Sequence, residues 1–161
     1  MRVRTVAAIT LSLSLAFTLT ACGAGSNAQT AMITQVTDGV DGSINTAGSN
    51  VKVRSLLLVA QPDGSAVVVG SMFNESTGAE DLLAIAAGGI VATLSKTSYP
   101  MIQNQPLHFS GGSANAKAVI PGLHAVAGSR VQVKIFFSHA GEMTLDAIVR
   151  DQSGIYAGVT A

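Results

Sequence analysis

Cysteine is nearly missing: the 161-residue chain has one, Cys22, so no disulfide and no zinc site built from several thiolates can form within it. Tryptophan is absent and aromatic residues make up 4%, which argues against an aromatic-lined ligand cage. Charge is sparse as well, at 11% of residues, with nine Lys plus Arg against nine Asp plus Glu. Arg2 and Arg4 lie in an N-terminal segment with the features of a cleaved leader, and without them seven cations face nine acids, a net charge of −2. Seven scattered cations do not make the basic cluster that neutralising nucleic-acid phosphates requires, so nucleic acid is not an expected partner. The abundance of Gly, Ala, Ser and Thr, with low charge, also speaks against disorder. One folded domain of small residues remains, and about 110 residues suffice for such a domain to fold without a staple.

What is present is most distinctive at the start. Met1 to Arg4 is a short basic segment and Thr5 to Thr18 an uncharged, largely apolar one, shorter than the roughly 20 residues that span a bilayer. This predicts an export signal over residues 1–21. The following Leu19-Thr20-Ala21-Cys22-Gly23 resembles the bacterial lipoprotein signal: an apolar residue, two small ones, then cysteine. The resemblance implies cleavage between Ala21 and Cys22, a diacylglyceryl thioether on Cys22 and an N-acyl chain on its new amino group. It also implies residence at the extracytoplasmic face of the cell membrane, held by the lipid. A single acyl chain binds a membrane only marginally, whereas two or more anchor stably, at about 0.8 kcal/mol per buried CH₂.

Residues 22–49 then read as the lipidated cysteine and a flexible tether, rich in Gly, Ser, Asn, Thr and Ala, with turn-prone Asp38-Gly39 and Asp41-Gly42. Such a segment reaches about 90 Å fully extended and about 30 Å as a coil. Thr30 to Val36 is a candidate for a short edge strand. From residue 50 to 161 the pattern changes to apolar runs divided by turn signals every ten residues or so, the mark of a sandwich or barrel. Val51 and Val53 alternate with Lys52 and Arg54, and the continuous Leu56-Leu57-Leu58-Val59 predicts a strand buried on both faces. Further strands are expected at Ala66–Phe73, Leu82–Ala86, Ile90–Leu94, Leu107–Phe109, Ala116–Ile120, Arg130–Phe137 and Met143–Val149. Gly88-Gly89 breaks any helix over Leu82–Ala92, at roughly 1 kcal/mol per glycine. The fold expected is all-β: an antiparallel Greek-key sandwich, cupredoxin- or immunoglobulin-like, of about eight strands.

The strand that runs Asn50-Val51-Lys52-Val53-Arg54-Ser55-Leu56-Leu57-Leu58-Val59, followed by a strand ending in Asn74 and then Asp81-Leu82-Leu83, resembles the front half of the periplasmic copper chaperone (PCuAC) domain. Pro121-Gly122-Leu123, the strand from Gly128 to Phe137, and the F-x-x-A-G turn Phe137-Ser138-His139-Ala140-Gly141 leading to Glu142-Met143-Thr144-Leu145 are similar to its back half. With the lipoprotein signal and tether, the whole is most similar to the LpqE-type envelope lipoproteins. In the PCuAC family copper is held by His and Met, one His after the fourth strand and a His-x-Met pair before the Gly-Leu. Aligned on those landmarks, this chain has Ser95, Lys117 and Val119 instead. Copper favours imidazole and soft sulfur, so these three leave no recognisable metal site, and the family's chemistry does not carry over residue by residue.

The remaining candidates for a metal are His108, His124 and His139 with Met101, none at the i, i+2 or i, i+4 spacing that presents two ligands to one ion. His124 and His139 could meet only if their loops shared one end of the sandwich, with Met101 or Met143 joining by tertiary contact. The alternative is that the imidazoles are locally hydrogen-bonded and the methionines fill core gaps. No Gly-x-Ser-x-Gly elbow occurs, although Asp146 or Asp151 could orient a histidine, and neither Gly-Gly pair is a phosphate loop. Asn74-Glu75-Ser76 matches the N-glycosylation pattern but reads as a polar loop. The chain is therefore expected not to be an enzyme and to need no cofactor. Two functions stay open: a non-catalytic binding or scaffold module for an envelope protein or small ligand, and a copper-binding metallochaperone with non-standard ligands. A carrier of apolar ligands would in addition need a cavity.

Overall fold

A computed structural model of the protein describes residues 39–46 and 48–161. The leader, Ala21, Cys22 and the Thr30–Val36 edge strand lie outside the described residues. Eleven strands follow in order: β1 Val40–Thr46, β2 Ser49–Ala60, β3 Ala66–Asn74, β4 Glu80–Ala87, β5 Ile90–Val91, β6 Thr93–Leu94, β7 Tyr99–Met101, β8 Leu107–His108, β9 Ala118–Ile120, β10 Arg130–Phe137 and β11 Glu142–Asp151, with one 3-10 turn at Gly154–Tyr156. The all-β Greek-key sandwich expected from the sequence is the architecture that forms. One layer runs β1, β2, β3, with β8 and β9 along the far edge of β3 and β6 beyond β9. The other has β5 and β7 on one edge of β4, then β10 and β11. All pairs are antiparallel except one, where Val149–Asp151 of β11 runs parallel to Leu58–Ala60 of β2 and joins the layers.

Strand β2 holds the domain together because it has no solvent face in its second half. Val51 and Val53 point into the core, but then Ser55 and Leu56 oppose the single residue Gly70 of β3, with Ser55 at φ 51°. This bulge shifts the alternation by one residue, so that Leu56 and Leu58 take over the core face. Leu57 and Val59 face outward yet are 2% and 0% exposed, because Ile148, Tyr156 and Val159 pack over them and Val69. The C-terminal segment is thus the cover that the continuous apolar run required. It is strapped down by Gln61 and Gln152, whose side-chain amides both donate to the Val159 carbonyl, at 3.2 Å and 2.8 Å.

Departures from the sequence reading have identifiable causes. Strand β1 already starts at Val40, ten residues before the expected start of the folded domain and inside the segment read as tether. Asp41-Gly42 is not a turn: the Asp41 carboxylate accepts from the Ser55 N–H at 2.7 Å and from Arg54 at 2.7 Å. Gly42 is glycine because a Cβ there would lie 2.6 Å from Leu145 Cδ2 and 2.9 Å from Met143 Sδ. Ile90–Leu94 is not one strand, since the chain turns a corner at buried Ala92, passing from the β4 layer to the β9 layer. Strand β7 is not apparent in the sequence because Pro100 sits in it, which an edge strand tolerates. Gly88 and Gly89, at φ 56° and 83°, make a two-residue hairpin turn between Ala87 and Ile90.

The end of the sandwich holding the β3–β4 and β10–β11 loops is organised around a buried carboxylate. Glu80, 3% exposed, accepts from the His139 N–H at 2.7 Å, the Ala140 N–H at 2.9 Å, Ser138 Oγ at 2.7 Å and Ser49 Oγ at 3.1 Å. Burial pushes this carboxyl up and is the largest single influence, but the donations from His139, Ser138, Ala140 and Ser49 together outweigh it and hold Glu80 below the ordinary carboxylate range. Next to it Asn74 is also buried and spends all its capacity locally. Its amide donates to the carbonyls of Gly78 and Met101, at 2.8 and 2.9 Å, and its oxygen accepts from the Ser76 N–H and Oγ.

Glu80→Gln turns an acceptor facing converging donors into a partial donor and is expected to cost about 2 kcal/mol in urea unfolding at pH 7. Folding lowers the Glu80 pKa below its ordinary value of 4.5, so its stabilisation is complete above that pH and is lost as pH falls through the folded value. The gap between wild type and variant should therefore close in acid; a gap unchanged down to about pH 2.5 would show the carboxylate charge to be irrelevant.

Candidate functional site

Strands β6 and β9 are too short to matter as sheet, yet their register places the three positions singled out above. Thr93 faces Val119, Leu94 faces Ala118, and the Ser95 N–H donates to the Lys117 carbonyl at 3.1 Å. Lys117, just before β9, and Val119 within it stand two apart on the face away from the core, while Ala118 and Ile120 are buried in it. The fold therefore brings Ser95, Lys117 and Val119 into one neighbourhood.

That neighbourhood is bridged by a tyrosine the sequence did not flag. Tyr99, on β7 of the opposite layer, is 1% exposed and crosses the sandwich to this edge. Its hydroxyl forms a short hydrogen bond with Ser95 Oγ and accepts from the Lys117 N–H at 3.1 Å. Its ring meets Phe109 edge-on, with centroids 6.4 Å apart, and Lys96 Nζ lies 5.4 Å from its centroid. A hydroxyl, an ammonium and an isopropyl group, closed over by a phenol, do not fit copper, which binds imidazole and soft sulfur. Among the described residues no group of three His, Cys, Asp or Glu could hold a metal ion.

Beside this bridge the surface opens into a groove of about 430 Å³. Its floor is apolar, with Val67, Phe109 and Ala116. One wall is the loop through Ser110 and Asn115 to Lys117, with Ser95, and the other is the C-terminal strap at Gly158–Thr160. No acidic residue lines it. Among the described lysines, Lys52 and Lys134 are paired with Glu75 and Glu142, and Lys96 sits over Tyr99. Lys117 is half-buried and has no described carboxylate within ion-pair distance.

The histidines are dispersed. His108, on β8, accepts or donates through Nδ1 with Ser71 Oγ at 2.7 Å, and Phe73 meets its ring edge-on. Ser71 and His108 face each other across β3 and β8, so this is a cross-strand pair, and no described carboxylate orients the imidazole as a triad would need. His124 donates its N–H to the Gly64 carbonyl at 2.8 Å, and its ring fills the space that a Cβ on Gly64 would need. It therefore sits at the β2–β3 turn. His139 sits at the opposite end, its Nδ1 2.9 Å from Ser138 Oγ and 3.8 Å from Glu80 Oε1. The length of β2 separates the two, roughly 35 Å of strand, so the arrangement in which His124 and His139 share one end does not occur. Met101 is 1% exposed, and Met72 and Met143 are buried in the core as well. Asp146 pairs weakly with Arg130, at 3.9 Å, and Asp151 accepts from Ser153 Oγ; neither contacts a histidine.

Tyr99 left no trace in the periodicity, because a three-residue edge strand carries too little pattern. A buried tyrosine does demand a partner for its hydroxyl, and Ser95 four residues earlier is that partner. Tyr99→Phe leaves the Lys117 N–H without its acceptor and is expected to destabilise the domain by about 1 kcal/mol in chemical denaturation. No change in the denaturation midpoint would mean that water replaces the hydroxyl at no cost.

No family model matches the sequence, and no curated protein matches it. Among solved structures the chain is similar to the copper-bound PCuAC domain from PmoF2, at 13% identity and a TM-score of 0.58 over 69% of this chain and 97% of that one. It is similar to the apo PCuAC domain from PmoF1 at 18% identity and a TM-score of 0.56, over 68% and 99% of the two chains. For the apo PmoF2 PCuAC domain the values are 12% and 0.56, over 70% and 98%. The likeness extends over nearly the whole of those domains, and at such identities it establishes one thing: this chain has a PCuAC-like, all-β fold.

Proposed function

We propose that the chain is a lipid-anchored protein of the cell envelope whose sandwich is a non-catalytic binding module, with the groove between the Ser110–Lys117 loop and the C-terminal strap as its binding surface. One observation supports this above others. Lys117, half-buried and without an ion-pair partner among the described residues, stands over an apolar floor in a groove of about 430 Å³, within the size range of ligand sites. The lipobox at Leu19–Cys22 supports the anchor, with the diacylglyceryl and N-acyl groups on Cys22 holding the domain at the extracytoplasmic face of the membrane.

A copper metallochaperone is the second reading, favoured by the likeness to a domain solved with copper. It would need ligands other than those the resemblance supplies, because Ser95, Lys117 and Val119 occupy that place and His108, His124 and His139 do not converge. Function resides in sites rather than in folds, so the likeness alone does not carry the chemistry.

Titration of the reduced protein with Cu(I), and separately with Cu(II), against a competing chelator distinguishes the readings. The binding-module reading expects no site tighter than about 10⁻⁶ M, a free energy near −8 kcal/mol; a tighter stoichiometric site would favour the chaperone. The anchor has its own test. Cys22→Ser is expected to move the protein from the membrane to the soluble fraction, and an unchanged partition would remove the lipoprotein reading.

A further inference from the structure

We infer that the groove takes a single-chain amphiphile with an anionic head, such as a medium-chain carboxylate, its head at Lys117 and its tail along the strap. The inference rests on the binding-module reading and adds the ligand's chemistry to it.

The groove is two-sided in character. Toward β6 and β9 it presents Lys117, with Ser95 and Ser110 beside it. Asn115 lines it as well, but its amide is committed to the loop, accepting from the His108 N–H at 2.8 Å and donating to the Pro106 carbonyl at 3.0 Å. Ser95 Oγ is likewise taken up by Tyr99, so the polar lining offers one cation and the Ser110 hydroxyl, with no carboxylate among the lining residues to neutralise it. A half-buried ammonium in such a place favours an anion, which a hydroxyl can then join by a charge-assisted hydrogen bond. Val67, Phe109, Ala116 and Val159 add apolar lining. A small inorganic anion would leave this lining uncovered, and a neutral alkane would leave Lys117 unpaired.

The strap fixes one wall of the site. Two glutamine amides converge on one carbonyl, that of Val159, and Tyr156 and Val159 rest on the small cluster of Leu57, Val59 and Val69. That cluster is separate from the main core, so the wall has an apolar support of its own. An amphiphile lying along the strap would add apolar contact to this same wall.

The test uses the full chain in lipid nanodiscs, with octanoate and octanol as matched probes and wild type compared with variants at constant lipid. Binding is read by ¹⁹F line broadening of 8,8,8-trifluorooctanoate and trifluorooctanol. Occupancy at the residue is read by protection of Lys117 from reductive methylation, with Lys52 and Lys134 as internal references. Octanoate should protect Lys117 and octanol should not. Lys117→Met should weaken octanoate about tenfold, equivalent to about 1.4 kcal/mol, with octanol unaffected, while Lys117→Arg should retain it. Gln61→Ala with Gln152→Ala should weaken both probes alike by loosening the strap. Equal binding of octanoate and octanol, or octanoate binding that survives Lys117→Met, overturns the anionic-head assignment and leaves the groove as a binding surface. Failure of both probes to bind, with Lys117 methylated as before, overturns the ligand class and the groove together.

Discussion

The structure depends on the burial of β2 on both faces. Leu56 and Leu58 fill the core between the layers, and Leu57 and Val59 would present an apolar stripe to water were they not covered. The chain supplies the cover from its own C-terminal segment, which must therefore cross the outer face of β2 and β3. At roughly 1.5–3 kcal/mol for each large apolar side chain buried, covering Leu57 and Val59 is worth more than the hydrogen bonds that hold the segment down. The groove is a consequence of that route: its second wall exists because the strap has to be where the apolar stripe is.

The polar interior follows a similar logic. Glu80, Asn74 and Tyr99 are all buried, and each has its polar atoms occupied, with at least one partner from a distant part of the chain. Glu80 gathers Ser49 and the β10–β11 loop, Asn74 ties its own loop to β7, and Tyr99 joins β7 to β6 and β9. A buried polar group that finds all its partners adds little net stability but strongly penalises any arrangement in which they are missing. These three residues select this loop arrangement over other compact ones. The Phe137-to-Gly141 turn gains a physical meaning here, since it aims the His139 and Ala140 N–H groups at Glu80.

The register that sets Ser95 against Lys117 puts a hydroxyl-bearing and a cationic residue side by side at one edge of the sandwich. The Ser95 hydroxyl, the Lys117 backbone N–H and the Tyr99 phenol make a hydrogen-bonded cross-link between the layers.

Much of the framework was legible in the amino-acid order. Alternation at Val51–Arg54 and Val131–Phe137, the unbroken run at Leu56–Val59, and the break at Gly88-Gly89 are local signals, set by a period of two and by backbone angles at single residues. That Ser95, Lys117 and Val119 are not residue types that favour copper could also be read without coordinates. Tertiary structure alone decided the rest: that Asp41-Gly42 belongs to a strand, that Ala92 is a corner, that His124 and His139 lie at opposite ends of β2, that Glu80 anchors a loop, and that the C-terminal strap and Lys117 enclose a groove. Each of these is a contact between residues far apart in the chain, and spacing along a sequence carries no information about which distant partner a side chain will meet.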